Sequence, residues 1–348
     1  LPESLDLLAD LLLRPTFPEK ELTRLKQQRL AAIQQEKSQP QGLAGRIYPA
    51  LLYGPEHAYS VVRSGSGTET SVAALTVPDL QRFHARWLRP DNARILVVGD
   101  TSMAAIRPLL ERAFGAWKNP AAPLPRKNLA SVERPIKPRV FLLNKTEAGQ
   151  TLLLAAHVAP PKADPDDTAM NLASSVLGGM FVSRLNMNLR EDKHWSYGAS
   201  STLGNARGQR PFVVYTQVQA DRTVDSVKEI LEELRGITGK ETITPQELKQ
   251  AADNLVVGLP GENETSAEIA GSYLSILQFG LKDSYFNDLV PEVQALTPVD
   301  VNAAARKLIH PDALTWVIVG DLAKTEAPLR ALNLGEVKVL DANGKVLR

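Results

Sequence analysis

The sequence predicts two homologous domains that mix helices with strands, the first of them incomplete at its N-terminus. Three observations predict this. The 348-residue chain is long enough for two domains, at roughly 100–200 residues each. A 26-residue segment occurs twice, 221 positions apart. Stretches of helical period alternate with short apolar runs bounded by turn residues.

Composition narrows the function classes. Hydrophobic residues make up 43% and charged residues 23%, ordinary for a globular chain and too apolar for disorder. Forty Lys+Arg against 39 Asp+Glu leave a net charge of +1, which argues for neither a nucleic acid nor an anionic membrane as partner. The absence of cysteine excludes disulfides, Cys-ligated zinc, iron–sulfur clusters and a Cys nucleophile. No uninterrupted apolar run reaches 18 residues, so no transmembrane segment is expected.

The elements follow in order. Leu5, Leu8, Leu11 and Leu12 recur at helical spacing, and Pro15 stops that helix. Phe17–Leu22 opens a second helix and resembles Ile243–Leu248. Leu75–Asp100 then aligns without a gap on Leu296–Asp321. Eight positions are identical, among them Thr76/Thr297, Asp79/Asp300, Pro90/Pro311, Asp91/Asp312 and Asp100/Asp321. Chance at ordinary residue frequencies would give roughly two. Each copy reads as a capped helix, a Pro-Asp turn, a buried strand and a Gly-Asp turn. Residues 1–118 are thus expected to be the C-terminal part of the first repeat domain. Residues 119–137, rich in Pro and Lys, are the linker, and 138–342 form the second repeat domain.

The second copy has more in front of it. Arg139–Leu143 and Thr151–Val158 read as strands. Asp164 reads as an N-cap with Pro165 at the first helical position. A helix follows with Met170, Ala173, Val176 and Leu177 on one face, then a helical piece over Ser183–Arg190. Strands are expected near Ser196–Leu203 and Phe212–Gln219. Nothing in the first copy matches these elements, so about 80 residues are expected to precede Leu1 in a longer protein.

Few residues suggest chemistry by themselves. The five histidines (His57, His84, His157, His194, His310) form no H-x-x-x-H, H-E-x-x-H or H-x-x-E-H pair and read as packing or surface residues. Gly178-Gly179 has no phosphate-loop context and reads as a helix break or a close contact. No G-x-S-x-G elbow exists. Arg190, at a helix end, precedes Tyr197, entering a strand, by seven residues. Two readings stay open for this pair. One is an exposed charge cluster followed by a core-facing tyrosine. The other is two donors, a planar guanidinium and a phenol, that polarise a peptide carbonyl or its oxyanion.

Gly178-Gly179-Met180, Ser183-Arg184-Leu185, Leu189-Arg190-Glu191-Asp192-Lys193 and Tyr197 resemble the second domain of pitrilysin/insulinase-type (inverzincin) metallopeptidases. The likeness is to the bacterial two-domain branch related to mitochondrial processing peptidase, and it covers nearly the whole chain. It implies an α+β fold of two homologous domains, each a mainly antiparallel sheet covered by helices, enclosing a chamber for unstructured peptides. It also implies that Arg190 and Tyr197 are the catalytic and substrate-binding pair which the second domain contributes to a zinc site.

That zinc site itself is not in this sequence. The family's H-x-x-E-H would lie before Leu1. Where active relatives carry Glu-Glu before Ile33, this chain has Ala31-Ala32, and alanine has no lone pair for a metal. Glu36 stands one turn on, displaced by about 6 Å along the helix. The resemblance therefore implies a non-catalytic subunit with no cofactor of its own, inactive alone. Zn²⁺ is expected in a homologous zinc-bearing partner, in a heterodimer, or else the chain forms a homodimer. A self-sufficient zinc endopeptidase and a peptide-binding scaffold are the alternatives. The relatives suggest a bacterial periplasmic or envelope location.

Overall fold

The run Thr315–Gly320 has no polar alternation, and such a strand needs neighbours on both sides and cover on both faces. The computed structural model, which describes residues 1–348, supplies both. Six strands form one sheet: β1 Arg139–Asn144, β2 Gln150–Ala159, β3 Ser196–Leu203, β4 Arg210–Gln219, β5 Thr315–Gly320 and β6 Glu336–Leu340. Their order is β3-β4-β2-β5-β1-β6. The ladders β2–β4, β2–β5 and β3–β4 are antiparallel. Those of β1 with β5 and with β6 are parallel. The sheet is therefore mixed: the antiparallel ladders predominate, and the two that β1 makes are parallel. Parallel partners need long crossovers, and helices provide them here.

The period-2 alternation of each strand sorts its residues onto two faces. Val140, Leu142, Trp316 and Ile318 join one buried cluster with residues of the helices Asp167–Ser174, Thr223–Thr238 and Pro298–Leu308. Phe141, Leu143, Val317 and Val319 join a second cluster with Leu43, Ala44, Ile47 and Leu52 of the helix Pro40–Tyr53. These elements belong to a unit made of Gln35–Gly65, Asn128–Gly261 and Ser275–Arg348. It is a single α+β domain with one sheet.

A smaller unit comprises Leu1–Gln34, Ser66–Lys127 and Glu262–Leu274. Within it, helix Pro2–Leu13 packs beside helix Met103–Phe114, and Arg112 pairs with Asp6 at 3.0 Å. Lys26 donates to the carbonyls of Ala73 (2.7 Å) and Leu75 (2.9 Å). The repeat is visible in its turns. Thr76 N–H donates to Asp79 and Thr297 N–H to Asp300, each at 2.9 Å, as matching capping boxes. Pro90 and Pro311 each open a single 3₁₀ turn.

The copies diverge at the strand. The buried strand expected after Pro90-Asp91 does not form, and residues 93–98 carry no regular structure. Ile95 is 53% exposed, whereas its repeat equivalent Trp316 is fully buried. The physical reason is the ladder. β5 is held between β1 and β2, and residues 1–92 form no strand that could flank 93–98. A second sheet-bearing domain is therefore not shown.

The helix cap also moves. Asp166, not Asp164, is the N-cap of Asp167–Ser174. Asp164 Oδ1 accepts from Asp166 N–H (2.9 Å) and from Lys307 Nζ (2.6 Å), so an Asx turn delays the helix start from Asp164 to Asp166.

Candidate functional site

Both motif residues sit where a helix returns to the sheet edge. Helix Asp167–Ser174 widens into a π-helical turn, Ser175–Gly179, that lies against β3. A Cβ on Gly178 would lie 2.2 Å from Ser201 N, so only glycine permits this approach. The Gly-Gly pair thus serves close contact between helix and strand. Ser201 Oγ donates to Ser174 O at 2.8 Å beside it.

The chain then turns through Met180–Ser183 into a short helix, Arg184–Asn186, and a second π-helical turn, Met187–Asp192. Arg184 is committed to structure. Its guanidinium makes a bidentate pair with Glu247 (2.7 and 2.9 Å) and donates to Thr242 O (3.2 Å). Arg190 is differently placed. It contacts only its neighbour Glu191 as an ion pair, at 3.3 Å, and its guanidinium lies 4.7 Å from the centroid of the Phe181 ring.

The turn between Arg190 and Tyr197 is tightly closed. Lys193 N–H donates to Asn188 O and Trp195 N–H to Leu189 O, both at 3.0 Å. His194 takes a left-handed conformation (φ 56°), and its Nδ1 lies 3.0 Å from Arg190 O. Gln219 anchors the turn to β4, its N–H donating to Trp195 O at 2.9 Å. Strand β3 then begins with a bulge between Ser196 and Ala199. Gly198 N–H donates to Ser196 Oγ (3.0 Å), and Thr216 Oγ1 donates to Gly198 O (2.9 Å). Bulges re-aim side chains, and this one holds Tyr197. The tyrosine is 88% exposed, which rules out the core-facing reading.

Further along β3, Ser200 and Thr202 line a cleft of about 490 Å³ with Tyr48, Arg63 and Tyr215. Burial raises the Tyr215 phenol, partly offset by the hydrogen bond from Gln217 Nε2 at 2.7 Å. Beneath the π-helical turn, Asn188 Nδ2 donates to Glu229 (2.9 Å) and Glu233 (2.8 Å). Burial pushes the Glu233 carboxyl up.

No group of three or more His, Cys, Asp or Glu side chains is placed to hold a metal ion. Ala31 and Ala32 lie on helix Glu19–Ser38, and Glu36 is engaged by Arg46 Nη1 at 2.6 Å. The histidines contact the protein itself. His57 Nδ1 accepts from Tyr59 N–H, and His84 Nε2 lies 2.6 Å from Leu12 O. His310 N–H faces buried His157 Nε2 at 3.3 Å. Sequence reasoning missed two residues at the site, Phe181 beneath Arg190 and Asn186 between helix and strand. Asn186, polar inside a short helix and 5% exposed, left only that mismatch as a signal.

The site is thus an exposed Arg/Tyr segment on the glycine-packed edge strand of a mixed sheet walled by helices, with no cluster of metal-ligating side chains. The chain belongs to the M16 peptidase family, matching the model "Peptidase M16 inactive domain" over residues 74–255, more than half its length. It is 25% identical over 314 residues to an uncharacterized zinc protease of Mycobacterium bovis, covering 89% of this chain and 69% of that protein. It is 24% identical over 339 residues to a non-peptidase homolog of Helicobacter pylori, covering 92% and 73%. Among solved structures, a peptidase M16 inactive domain from Pseudomonas fluorescens superposes with a TM-score of 0.79 at 27% identity, covering 91% of this chain and 74% of that one. Two more distant likenesses concern the fold alone. A periplasmic protease of Escherichia coli gives a TM-score of 0.72 at 17% identity, covering 92% and 35%. A chain of complex III from Candida albicans gives 0.73 at 15% identity, covering 96% and 80%. No helix of the chain is long and apolar enough to cross a membrane.

Proposed function

We propose that this chain is a non-catalytic subunit of a zinc-dependent peptidase, lending Arg190 and Tyr197 to the active site of a zinc-bearing homologous partner. The observation that carries the reading is the presentation of Tyr197: a large aromatic side chain held out by a hydrogen-bonded bulge, with no core to serve. Arg190 supports it, resting on Phe181 with donors left for another molecule. Zinc in the partner supplies the activated water. This chain supplies the donors: the planar fork and the phenol receive the carbonyl oxygen of an unstructured peptide and stabilise it as negative charge develops. The 26-residue repeat supports an origin by duplication, with 1–118 and 138–342 as the two copies.

The test is reconstitution. The chain is mixed with a zinc-bearing M16 subunit and given a fluorogenic unstructured peptide. Activity is expected only in the mixture, with zinc only in the partner. Arg190→Ala or Tyr197→Phe should each lower turnover by about 10²–10³-fold, the usual loss on removing one oxyanion donor. Unchanged turnover in both variants overturns the reading. A scaffold role is the second reading, favoured by the likeness to a non-peptidase homolog. A stable complex whose peptidase activity ignores both substitutions selects it.

A further inference from the structure

We propose that Asn186 is the positioning residue that sets Arg190 and Tyr197 relative to each other. The proposal rests on the reading of that pair given above. Asn186 is buried, and its one amide reaches both elements that present the pair. Its Nδ2 donates to Phe181 O at 2.7 Å. The ring of that same Phe181 is the seat of the Arg190 guanidinium, 4.7 Å away. Its Oδ1 accepts from Ala199 N–H at 3.2 Å. Ala199 is the first regularly paired residue after the bulge that holds Tyr197.

The chemistry requires an amide there. β3 is the edge strand of the sheet, so a β neighbour exists on one side only. The Ala199 N–H needs an acceptor from elsewhere, and a buried N–H without one is strongly unfavourable. Phe181 O needs a donor at the other end of the same group. Asparagine carries both on one planar head. Aspartate offers acceptors alone, and leucine offers neither. Arg184, two residues earlier, fixes the helix bearing Asn186 to Glu247, so the amide works from an immobile base. The amide thereby spans from the aromatic seat of one donor to the strand that carries the other. A displacement of about 1 Å between two catalytic donors can lower turnover about 10²-fold.

The experiment uses the full chain with a zinc-bearing M16 subunit and a fluorogenic unstructured peptide. It measures kcat and KM, thermal unfolding, and amide exchange at residues 197–199. Asn186→Ala should accelerate exchange at Ala199 and lower kcat about 10–100-fold with KM little changed. Adding Arg190→Ala to it should lower kcat by much less than Arg190→Ala does in the parent. Asn186→Asp keeps the acceptor for Ala199 and loses the donor to Phe181. It should leave Ala199 protected and give an intermediate kcat. Parent-like kcat in Asn186→Ala, while Arg190→Ala and Tyr197→Phe each lower it, overturns this inference and leaves the reading of the pair standing. Fully additive effects of Asn186→Ala and Arg190→Ala overturn it as well. If neither Arg190→Ala nor Tyr197→Phe changes turnover, the reading of the pair fails and the positioning role falls with it. Should Asn186→Ala fail to fold, Asn186→Asp decides, and a parent-like kcat there is the negative result.

Discussion

The guanidinium of Arg190 lies over the Phe181 ring, 4.7 Å from its centroid, and Phe181 is itself an exposed residue. An exposed cation–π contact contributes about 0.5–1 kcal/mol, too little to explain a large ring left in solvent as a stabilising device. On the function proposed above, the ring serves to hold the cation. Phe181→Leu is expected to leave the melting temperature within about 2 °C of the parent, consistent with a change under 1 kcal/mol. It should lower reconstituted turnover several-fold. A calorimetric scan beside a peptidase assay checks both halves.

Arg210 is fully buried and donates to Asp167 Oδ1, while Lys162 Nζ donates to Oδ2 of the same carboxylate at 2.6 Å. Removing the carboxylate strands a buried cation. Asp167→Ala should therefore destabilise the chain by about 3–5 kcal/mol, read as a drop in the urea midpoint. A loss below about 1 kcal/mol would mean the pair is far better hydrated than the structure has it.

His157 is buried between Phe212 and His310. Burial lowers its pKa to about 3, with His310 and Arg134 acting in the same direction and the hydrogen bond to Val158 opposing. The sign follows from linkage. Below the unfolded value near 6.5, the unfolded chain binds a proton that the folded chain refuses. The stabilisation present above pH 6.5 is thus lost as pH falls toward 3, at up to about 1.4 kcal/mol per pH unit. Urea unfolding at several pH values should show this slope, and His157→Leu should flatten it.

The repeat supplies an internal control. Ile318 is fully buried in the sheet, and its equivalent Val97 is exposed. Ile318→Ala should destabilise by about 2–5 kcal/mol, whereas Val97→Ala should stay within about 0.5 kcal/mol. Equal effects would show that residues 93–98 are packed after all.

These contrasts mark what the sequence can and cannot carry. β1 to β4 were legible because apolar runs and alternation are local signals, and the turns of the repeat because Thr/Asp boxes and Pro-Asp pairs act within four residues. Residues 94–98 read as strand on the same signals and are not one, because strand formation needs partners that propensity does not encode. The parallel pairing of β1 was illegible for the same reason. At the site, residue type and spacing left open whether Tyr197 faces the core, and only the resemblance singled out Arg190 and Tyr197 as a pair. Asn186 was not legible at all, because its contact with Ala199 crosses a break in regular structure.

β1 lies between β5 and β6, and Arg139 meets its β5 neighbour Thr315 across 176 positions of sequence. The first strand of the domain thus waits for the last two. During synthesis, residues 139–144 leave the ribosome long before either flanking strand exists, and both edges of β1 remain open meanwhile. Contacts of such separation fold slowly and leave intermediates prone to aggregation. This architecture gives its finished sheet only to a chain translated through Leu340, so premature termination in the final helices should yield insoluble product rather than a shorter working domain.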